Sequence, residues 1–280
     1  MHSNPLISVV VTTYWSAESL ETCLSSIRGQ TYAEIELVVV DTDSKDGTQK
    51  IAKKYADKFF QGEGPERSAK RNFGVQMATG DFVFIVDSDM ELAPDVVEQC
   101  VKVIFDKPKV KAIVVPEKSD GYGFWTRCKA LERSFYVGVE WMEAARFFDR
   151  EVFLQIGGYD ENNTGSEDYD LPQRIKQHFG QGTISRINAY ATQHEGRISL
   201  LGMCRKKFYY AKSFIKYSKN RANAETFQKQ SGLLRRYSLF FSAPGKLFEN
   251  PALGCGMLFL KTCEFAAGGS GYMYHMLRQR

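Results

Sequence analysis

Residues 7–117 alternate between short apolar runs and segments whose apolar residues recur at helical spacing. The runs ISVVVTTY (7–14), IELVVVD (35–41) and FVFIVD (82–87) are typical of strands buried on both faces of a sheet. Between the first two lies SAESLETCLSSIRGQ (16–30), which has the spacing of an amphipathic helix. Such repeated strand–helix units predict an α/β fold, with a parallel or mixed sheet wrapped by helices.

Polar side chains follow the ends of these strands. Thr12, Thr13 and Tyr14 close the first strand, while Asp41 and Asp87 close the second and a later one. In sheets of this class, ligands bind outside the carboxyl ends of the strands. The five residues therefore predict a binding crevice at one edge of the sheet.

The segment FVFIVDSDMEL (82–92) ends an apolar strand in two carboxylates, Asp87 and Asp89, which are separated only by Ser88. Paired carboxylates suit a hard divalent cation such as Mg²⁺ or Mn²⁺. A calcium loop of the EF-hand type is excluded, because Leu92 stands where that loop requires glycine. Aspartate is also common in turns, so the residues alone leave a simple turn as the alternative.

Composition is that of an ordinary globular protein, with 43% hydrophobic and 25% charged residues. We expect no signal peptide, because the N-terminus lacks a basic flank, and no spanning helix, because no apolar run approaches ~18–20 residues. The six cysteines are dispersed, which favours free thiols in a reducing compartment. These features predict a cytoplasmic protein, with association at the inner face of the membrane left open.

Charge is distributed unevenly along the chain. Residues 176–280 contain 17 basic and 4 acidic residues, whereas residues 1–175 contain 20 basic and 29 acidic ones. The segment RKKFYYAKSFIKYSKNR (205–221) also interleaves the basic residues with aromatic ones. Nucleic acid, an anionic membrane surface contacted through residues 200–221, and a packed helix with solvated lysines are all compatible with this pattern.

Three motifs resemble those of one known family. VVVDTDSKDGT, ERSAKRNFGVQMATGDFVFIVDSDMEL and GGYDENNTGSEDYDL occur in the order and with the gaps of the inverting family 2 nucleotide-sugar glycosyltransferases, over roughly residues 6–200. The resemblance implies a GT-A fold. It implies a catalytic domain over residues 1–199, with a nucleotide-sugar half to about 117 and an acceptor half over 118–199, followed by a helical extension over 200–280. No G-x-G-x-x-G follows the first strand, which disfavours a dinucleotide-binding dehydrogenase.

The resemblance implies how the nucleotide is held. Thr12 and Tyr14 would line the base, and Asp41 would accept a hydrogen bond from an N–H of uracil or guanine. The family often has a second aspartate directly after this one, whereas this chain has Thr42 and then Asp43. Asp43 is therefore a further donor-binding candidate, and the choice between UDP and GDP stays open.

The resemblance also implies how the diphosphate is held. Arg67 and Arg71 would offer guanidinium groups to the nucleotide or its phosphates, for which bidentate geometry is apt. An exposed helix face is the structural alternative for both. The DSD segment (87–89) corresponds to the DxD motif, with Asp87 near the ribose, Ser88 as a further donor-binding residue, and Asp89 on Mn²⁺ or Mg²⁺. Asp87 and His194 are candidates to complete that metal site.

Glu167 and Asp168 resemble the ED pair of the family, which implies where the catalytic base lies. Asp168 would be the general base that takes the proton of the acceptor hydroxyl, and Glu167 would lie near the acceptor. Because Pro172 is tolerated in the first turn of a helix, Asp168 or Asp170 could instead be a helix cap, and we assign the cap to Asp170. Trp141 is an acceptor-stacking candidate, with core packing as its alternative.

Together with these residues, the resemblance implies an inverting, metal-dependent glycosyltransferase acting by single displacement. It would transfer a sugar from a nucleoside diphosphate to a hydroxyl of a glycan or lipid-linked acceptor. Nucleic acid is not expected as a partner. Two alternatives remain: a non-catalytic protein that binds nucleotide sugars or carbohydrate on the same scaffold, and a nucleotidyltransferase, whose basic loop near the first strand is not seen here.

Overall fold

A computed structural model describes residues 4–62, 67–161, 167–219 and 232–278, with only the backbone described for 212–219 and 278. The chain divides into two compact units. The first comprises Met1–Glu117 and Ala144–His194, and the second comprises Lys118–Glu143 and Glu195–Arg280.

The first unit is built on a seven-stranded sheet in the order β3-β2-β1-β4-β8-β6-β9. Its strands are β1 (Ile7–Thr13), β2 (Ile35–Asp41), β3 (Lys58–Gln61), β4 (Phe82–Asp87), β6 (Ala112–Val114), β8 (Ala145–Asp149) and β9 (Ile184–Arg186). β1 pairs in parallel with β2 and β4, whereas β8 runs antiparallel to both β4 and β6. The sheet is therefore mixed, with parallel strands where the sequence shows strand–helix repeats.

A small antiparallel pair follows the end of β4. β5 (Met90–Leu92) pairs with β10 (Ala191–His194), and Gln193 lies opposite Met90. β7 (Glu117–Asp120) falls at the boundary between the two units. The β5–β10 pair brings residues that are about 100 positions apart in the chain to the edge where β4 ends.

Helices cover both faces of the large sheet. They are α1 (Ala17–Arg28), α2 (Thr48–Tyr55), α3 (Arg67–Met77), α4 (Val96–Asp106), α6 (Arg150–Gln155) and α7 (Glu167–Phe179). Val9 and Val11 of β1 pack in the core that includes α1, α2 and α4, while Val10 packs in the core that includes α3, α6 and α7. Successive side chains of a strand point to opposite faces, so a strand covered on both sides is apolar throughout.

The second unit is helical. It contains α5 (Phe124–Ser134), α8 (Leu200–Lys219), α9 (Leu233–Phe241), α10 (Pro244–Leu247) and α11 (Pro251–Arg278). Its core is formed by Cys128, Phe135, Met203, Phe240, Leu247, Met257 and Leu260. Within the described residues, no helix has both the length and the hydropathy that crossing a membrane requires.

Two boundaries differ from those predicted from the sequence. Residues 118–143 group with the C-terminal helices, because α5 packs against α11, whereas the predicted division fell at residue 199. α7 begins at Glu167, so Pro172 lies inside the helix and Asp170 is not its cap. Asp170 instead accepts a hydrogen bond from Arg174 Nε at 2.7 Å, one turn further along.

Candidate active site

The register of the parallel strands brings the predicted polar residues together. Thr13 pairs with Asp41 across β1 and β2, and Thr12 pairs with Asp87 across β1 and β4. All four therefore lie at the same edge of the sheet, where the carboxyl ends of parallel strands meet. This edge is the candidate active site.

Asp41 is fully buried at this edge. Its Oδ1 accepts hydrogen bonds from Thr13 Oγ1 and Ser44 Oγ, each at 2.7 Å, and its Oδ2 accepts one from Ser44 N at 2.9 Å. Each carboxylate oxygen thus accepts at least one hydrogen bond from the protein, and Asp41 joins the ends of β1 and β2. Its predicted hydrogen bond from a nucleotide base stays a prediction.

Exposed groups stand beside this buried carboxylate. Tyr14 and Trp15 are 62% and 55% exposed, and Asp43 is exposed as well. Trp15 and Asp43 have positive φ angles of 51° and 46°, a region that residues other than glycine seldom occupy. Trp15 N donates to Ser44 Oγ at 2.9 Å, which ties the two loops together. Trp15 was not predicted, although it follows directly after Tyr14 at the strand end.

Thr12, predicted to line the base, and Thr13, predicted in the binding crevice, are not open to a ligand through their side chains. Thr13 is 1% exposed and its hydroxyl is bound to Asp41, while Thr12 is also buried. Tyr14 is accessible, and its ring lies 5.7 Å from Lys70 Nζ. Of the three residues that close β1, Tyr14 is therefore the one whose side chain can contact a nucleotide.

Arg71 is the centre of a buried charge cluster. It lies on α3, is fully buried, and reaches two carboxylates: its Nη2 donates to Asp87 Oδ1, and its Nη1 donates to Asp168 Oδ1 at 2.8 Å. The structural alternative of an exposed helix face is thereby excluded for Arg71. Its guanidinium links the end of β4 to the first turn of α7.

A second arginine, Arg146 on β8, completes the neutralisation of Asp87. Its Nη2 lies 3.3 Å from Asp87 Oδ2, and its Nε donates to Glu117 Oε1 at 2.5 Å. Both oxygens of Asp87 therefore face guanidinium groups. The sequence suggested that a divalent cation relieves the repulsion between Asp87 and Asp89. For Asp87, Arg71 and Arg146 supply positive charge, and its predicted contact with a metal stays a prediction.

Sequence reasoning did not single out Arg146 or Glu117. The signal was present, since Arg146 is a lone basic residue in the apolar run of ARFFD (145–149). A charged side chain in a buried strand needs a partner of opposite charge.

The cluster keeps two aspartates ionised. Burial alone raises the pKa of Asp87, but Arg71 and Arg146 outweigh it and hold that pKa far below its usual range. Burial also raises the pKa of Asp168, and the same arginines, with Arg67, bring it below the ordinary value. Asp168 is therefore a carboxylate at neutral pH, in the form that can accept a proton.

Glu167 is occupied by an arginine. Arg67 Nη2 lies 2.5 Å from Glu167 Oε1, and Arg67 Nε donates to the same oxygen at 3.2 Å. Glu167 is fully buried, which argues against its predicted contact with an acceptor, whereas the Arg67 side chain is 42% exposed. Glu167 therefore orients Arg67, whose side chain stays partly open to solvent.

Asp89, unlike Asp87, is not paired with an arginine among the described residues. Its Oδ2 accepts from Gln193 Nε2 at 3.0 Å, and over the described parts of the chain it has no ion-pair partner. Burial, and next the neighbouring Asp87, raise its pKa above the ordinary value. A partly buried carboxylate with uncompensated charge fits a divalent cation.

His194 and Glu91 lie beside Asp89 on the β5–β10 pair. His194 N donates to Asp89 O at 2.8 Å, and His194 Nε2 is 2.8 Å from Glu91 Oε2. In the part of the chain that is described, no three His, Cys, Asp or Glu side chains are arranged to hold a metal by themselves. A cation here would need further oxygen ligands, as Mg²⁺ commonly takes from substrate phosphates.

Ser88 and Trp141, the two remaining candidates, contact other protein side chains. Ser88 Oγ donates to Ser16 Oγ at 2.9 Å, which ties the DSD segment to the start of α1. Trp141 belongs to the second unit, where its ring lies 5.5 Å from the Arg236 guanidinium carbon. The acceptor role predicted for Trp141 stays a prediction.

The comparison with known proteins bears on this arrangement. The sequence profile described as "Glycosyl transferase family 2" matches residues 8–166, more than half of the chain. The chain belongs to this family. The match includes the ends of β1, β2 and β4 and stops just before Glu167. The family predicted from the sequence is therefore confirmed, and with it a glycosyltransferase at the level of the family.

Curated relatives are similar over part of their length. EpsH of Bacillus subtilis is 34% identical over 108 residues, which are 37% of this chain and 31% of EpsH. The glucosyl-dolichyl phosphate glucuronosyltransferase of Haloferax volcanii is 31% identical over 179 residues, 56% of each chain. The chain thus spans about a third of the first relative and little more than half of the second.

Solved structures share the fold. The mannosyltransferase PcManGT from Pyrobaculum calidifontis, solved with GDP-Man and Mn²⁺, superposes with a TM-score of 0.64 at 18% identity, over 98% of this chain and 88% of that one. Glucosyl-3-phosphoglycerate synthase from Mycobacterium tuberculosis, solved with Mn²⁺, UDP and glucosyl-3-phosphoglycerate, gives 0.54 at 17% identity over 76% and 79%. The predicted GT-A fold, a mixed sheet between helices, is confirmed.

Proposed function

We propose that this chain transfers a sugar from a nucleoside diphosphate to a hydroxyl of an acceptor, with inversion at the anomeric carbon. The observation that carries the proposal is the Arg71 cluster, which holds Asp168 as a carboxylate at the same sheet edge as Asp87. A single ionised base suffices for direct displacement, because a diphosphate that is stabilised electrostatically leaves without protonation. Membership of the family supports the reaction class.

In the proposed reaction Asp168 accepts the proton of the acceptor hydroxyl while the oxygen attacks the anomeric carbon. The bond from that carbon to the diphosphate oxygen breaks, and the negative charge passes to the diphosphate. Arg71 and Arg146 stay in place and keep Asp168 from being protonated beforehand. Arg67, whose guanidinium is partly exposed, binds a phosphate of the donor.

We assign the nucleotide base to the exposed groups beside Asp41. Tyr14 and Trp15 offer aromatic faces for stacking, and the Asp43 carboxylate can accept from a base N–H. Asp43 is paired with Lys45, so a base would compete with an exposed ion pair, which is weak in water. UDP-type and GDP-type donors both present an N–H to such an acceptor.

Asp89 and His194 are the residues that would hold Mn²⁺ or Mg²⁺. Such an ion would supply positive charge to the departing diphosphate. Two structural neighbours were solved with Mn²⁺, which supports a divalent metal in this family. Asp89 is the better candidate of the two residues, because it forms no ion pair among the described residues, whereas His194 already contacts Glu91.

The acceptor is proposed to be a hydroxyl of a glycan or of a lipid-linked sugar. One relative is named for a dolichyl-phosphate-linked substrate, and one structural neighbour was solved with a phosphorylated glyceric acid glucoside. The surplus of basic residues after residue 176 is compatible with an acceptor that carries phosphate.

The base assignment is tested by replacing Asp168 with asparagine. We expect Asp168→Asn to lose at least about 100-fold in turnover, the usual contribution of a general base, while nucleotide affinity is kept. Asp106→Asn is the matched control, because it removes the same charge from the exposed end of α4. Turnover is measured as release of the nucleoside diphosphate, and affinity by calorimetry. Unchanged turnover in Asp168→Asn would rule out this residue as the base. A wild-type chain that binds donor without ever releasing the diphosphate would be a binding protein.

A further inference from the structure

Helix α11 has its charged residues on its buried face, whereas a helix that borders water normally has them on its exposed face. Between Pro251 and Leu277 its formally charged residues are Lys261 and Glu264 alone. Both are buried, at 6% and 3% exposure. Lys261 Nζ contacts Glu132 Oε1 of α5 at 2.6 Å, and Lys129 Nζ of α5 lies 3.3 Å from Glu264 Oε1. Both charged residues of α11 therefore form ion pairs inside the second unit.

The opposite face of α11 is exposed and uncharged. Its exposed residues recur every three or four positions along the helix: Ala252, Cys255, Phe259, Thr262, Ala266, Gly269, Ser270, Met273 and Leu277. Phe259, Met273 and Leu277 are 54%, 64% and 73% exposed. A helix on the surface of a water-soluble domain has the reverse pattern, with polar residues outward. At a rise of 1.5 Å per residue, this face is about 40 Å long. A face that carries no charged residue and exposes three large apolar side chains indicates an interaction site.

Helix α9 extends this surface. Tyr237 Oη lies 2.5 Å from Thr262 Oγ1, so α9 runs beside the outward face of α11. Leu234 and Phe241 lie three and four positions from Tyr237, one turn to either side, and they therefore border the same face. Leu234 is 84% exposed and Phe241 is 49% exposed.

The sequence of this part of the chain is rich in basic residues. Residues 200–280 contain 14 basic and 3 acidic residues, a net charge of +11. Arg235 and Lys246 are exposed on α9 and α10, next to the apolar residues of those elements. An uncharged apolar face bordered by cations is the pattern of helices that lie in the interface of a membrane with anionic lipids.

We propose that the outward face of α11, bordered by α9, docks on a phospholipid bilayer that contains anionic lipids, with α11 lying along the interface. This places the contact mainly on residues 233–277, whereas the sequence suggested residues 200–221. Within that earlier segment, the Phe208 ring packs against Tyr274 at 5.7 Å between centroids and so is partly used inside the second unit. The side chains of 212–219 and residues 220–221 are outside the described part of the chain. The inference is independent of the proposed reaction.

Vesicle binding of the full chain tests the proposal. The probes are vesicles of phosphatidylcholine alone and of phosphatidylcholine with 30% phosphatidylglycerol, with co-sedimentation as the readout. The test variant replaces Phe259, Met273 and Leu277 by serine. The control variant replaces Met77, Phe105 and Leu154 by serine, three exposed apolar residues of the first unit. All six positions are exposed, so both variants should fold, and circular dichroism melts verify this.

We expect the wild type and the control variant to bind the anionic vesicles, with the test variant at least tenfold weaker. Binding of the wild type should also fall at least tenfold between 0.1 and 0.5 M salt, because the lipid charge is then screened. Equal binding of the wild type and the test variant would overturn the proposal. So would equal affinity for the two kinds of vesicle, or a wild type that forms dimers and binds neither, since the face would then join two copies of this chain.

Discussion

A single buried guanidinium, that of Arg71, donates hydrogen bonds to two carboxylates at the candidate site and lies 3.6 Å from a third, that of Glu167. Replacing Arg71 by glutamine leaves Asp87 with Arg146 alone and removes the nearest cation from Asp168. Loss of one partner from a buried ion pair typically costs about 3–5 kcal/mol, because the remaining charge is left without compensation. We expect Arg71→Gln to lower the free energy of unfolding by about this amount. Arg67→Gln should cost less, because that side chain is partly exposed. Urea denaturation at pH 7.5 measures both, and equal losses would contradict the buried position of Arg71.

Glu36 lies on β2, outside the active site, and its carboxylate is largely buried. Burial raises its pKa, but hydrogen bonds from Lys58, Ser8 and Thr79 outweigh this and lower it to about 2. Because the folded pKa lies below the unfolded value of about 4.5, Glu36 stabilises the fold above pH 4.5, and this contribution is lost as pH falls toward 2.

We expect Glu36→Gln to be less stable than the wild type at pH 6. The difference should shrink between pH 4.5 and 3, as the wild-type carboxylate approaches its folded pKa. Urea midpoints measured from pH 6 to 3 test this. A difference that stays constant across that range would mean that the lost contacts, and not the charge, determine the effect.

From the sequence, the positions of the charged site residues could be predicted, but their ion-pair partners could not. Asp87, Asp89, Asp168 and Arg71 were all predicted at the site, because acids at strand ends and the family motifs mark them. The sequence could not show which of these charges neutralise each other, since Arg71 and Asp168 are 97 positions apart. The burial of Asp41 was equally hidden, because a carboxylate at a strand end looks the same whether a ligand or a neighbouring loop binds it.

The packing of α3 on the sheet depends on Gly74. A Cβ at this position would lie 2.4 Å from Val10 Cγ1 and 3.2 Å from Val40 Cγ2, both on buried strands. Those β-branched side chains have little freedom to move, so the helix itself would have to shift. We expect Gly74→Ala to destabilise the protein by about 1–3 kcal/mol, the usual cost of overpacking a core.

The matched control for Gly74 is Gly269→Ala in α11, where nothing lies within 4 Å of the new methyl group. That change should be neutral or stabilising by up to about 1 kcal/mol, because alanine favours helix more than glycine does. Chemical denaturation compares the two variants. If Gly74→Ala were as stable as the control, α3 would not be held as closely to β1 as the structure has it.

Elements with strong local patterns were predicted and the others were not. β1, β2 and β4 are continuous apolar runs, and their positions match to within a residue. β5, β8 and β10 escaped prediction, because they are short and mixed in character and are defined by antiparallel partners distant in sequence. The start of α7 was placed too late, because Pro172 was expected in its first turn and lies instead at its sixth residue.

Binding of the donor nucleotide should stabilise the whole folded molecule, because a ligand that binds only the folded state raises the free energy of unfolding. A donor at 100 times its dissociation constant adds about 2.7 kcal/mol. In a panel of UDP-, GDP- and dTDP-sugars, we expect one nucleotide to raise the melting temperature by several degrees, and more so with Mn²⁺.

Asp89→Asn should abolish the part of that increase which depends on Mn²⁺ and leave the part due to the nucleotide alone. Asp106→Asn, with the same change of charge on the exposed end of α4, should keep both parts. An Asp89→Asn protein that responds to Mn²⁺ as the wild type does would remove Asp89 from the proposed metal site.

The hydrogen bonds of Asp41 have a consequence for how new specificities arise in this chain. Thr13, Asp41 and Ser44 are joined by hydrogen bonds beneath the side chains of Tyr14, Trp15 and Asp43, and Trp15 attaches to them only through its backbone N–H. If those side chains select the nucleotide, as proposed, then the residues that determine donor preference differ from the buried residues that hold the ends of β1 and β2 together. Substitutions at the three exposed positions can be sampled by evolution, or by a laboratory library, without disturbing the foundation on which they stand.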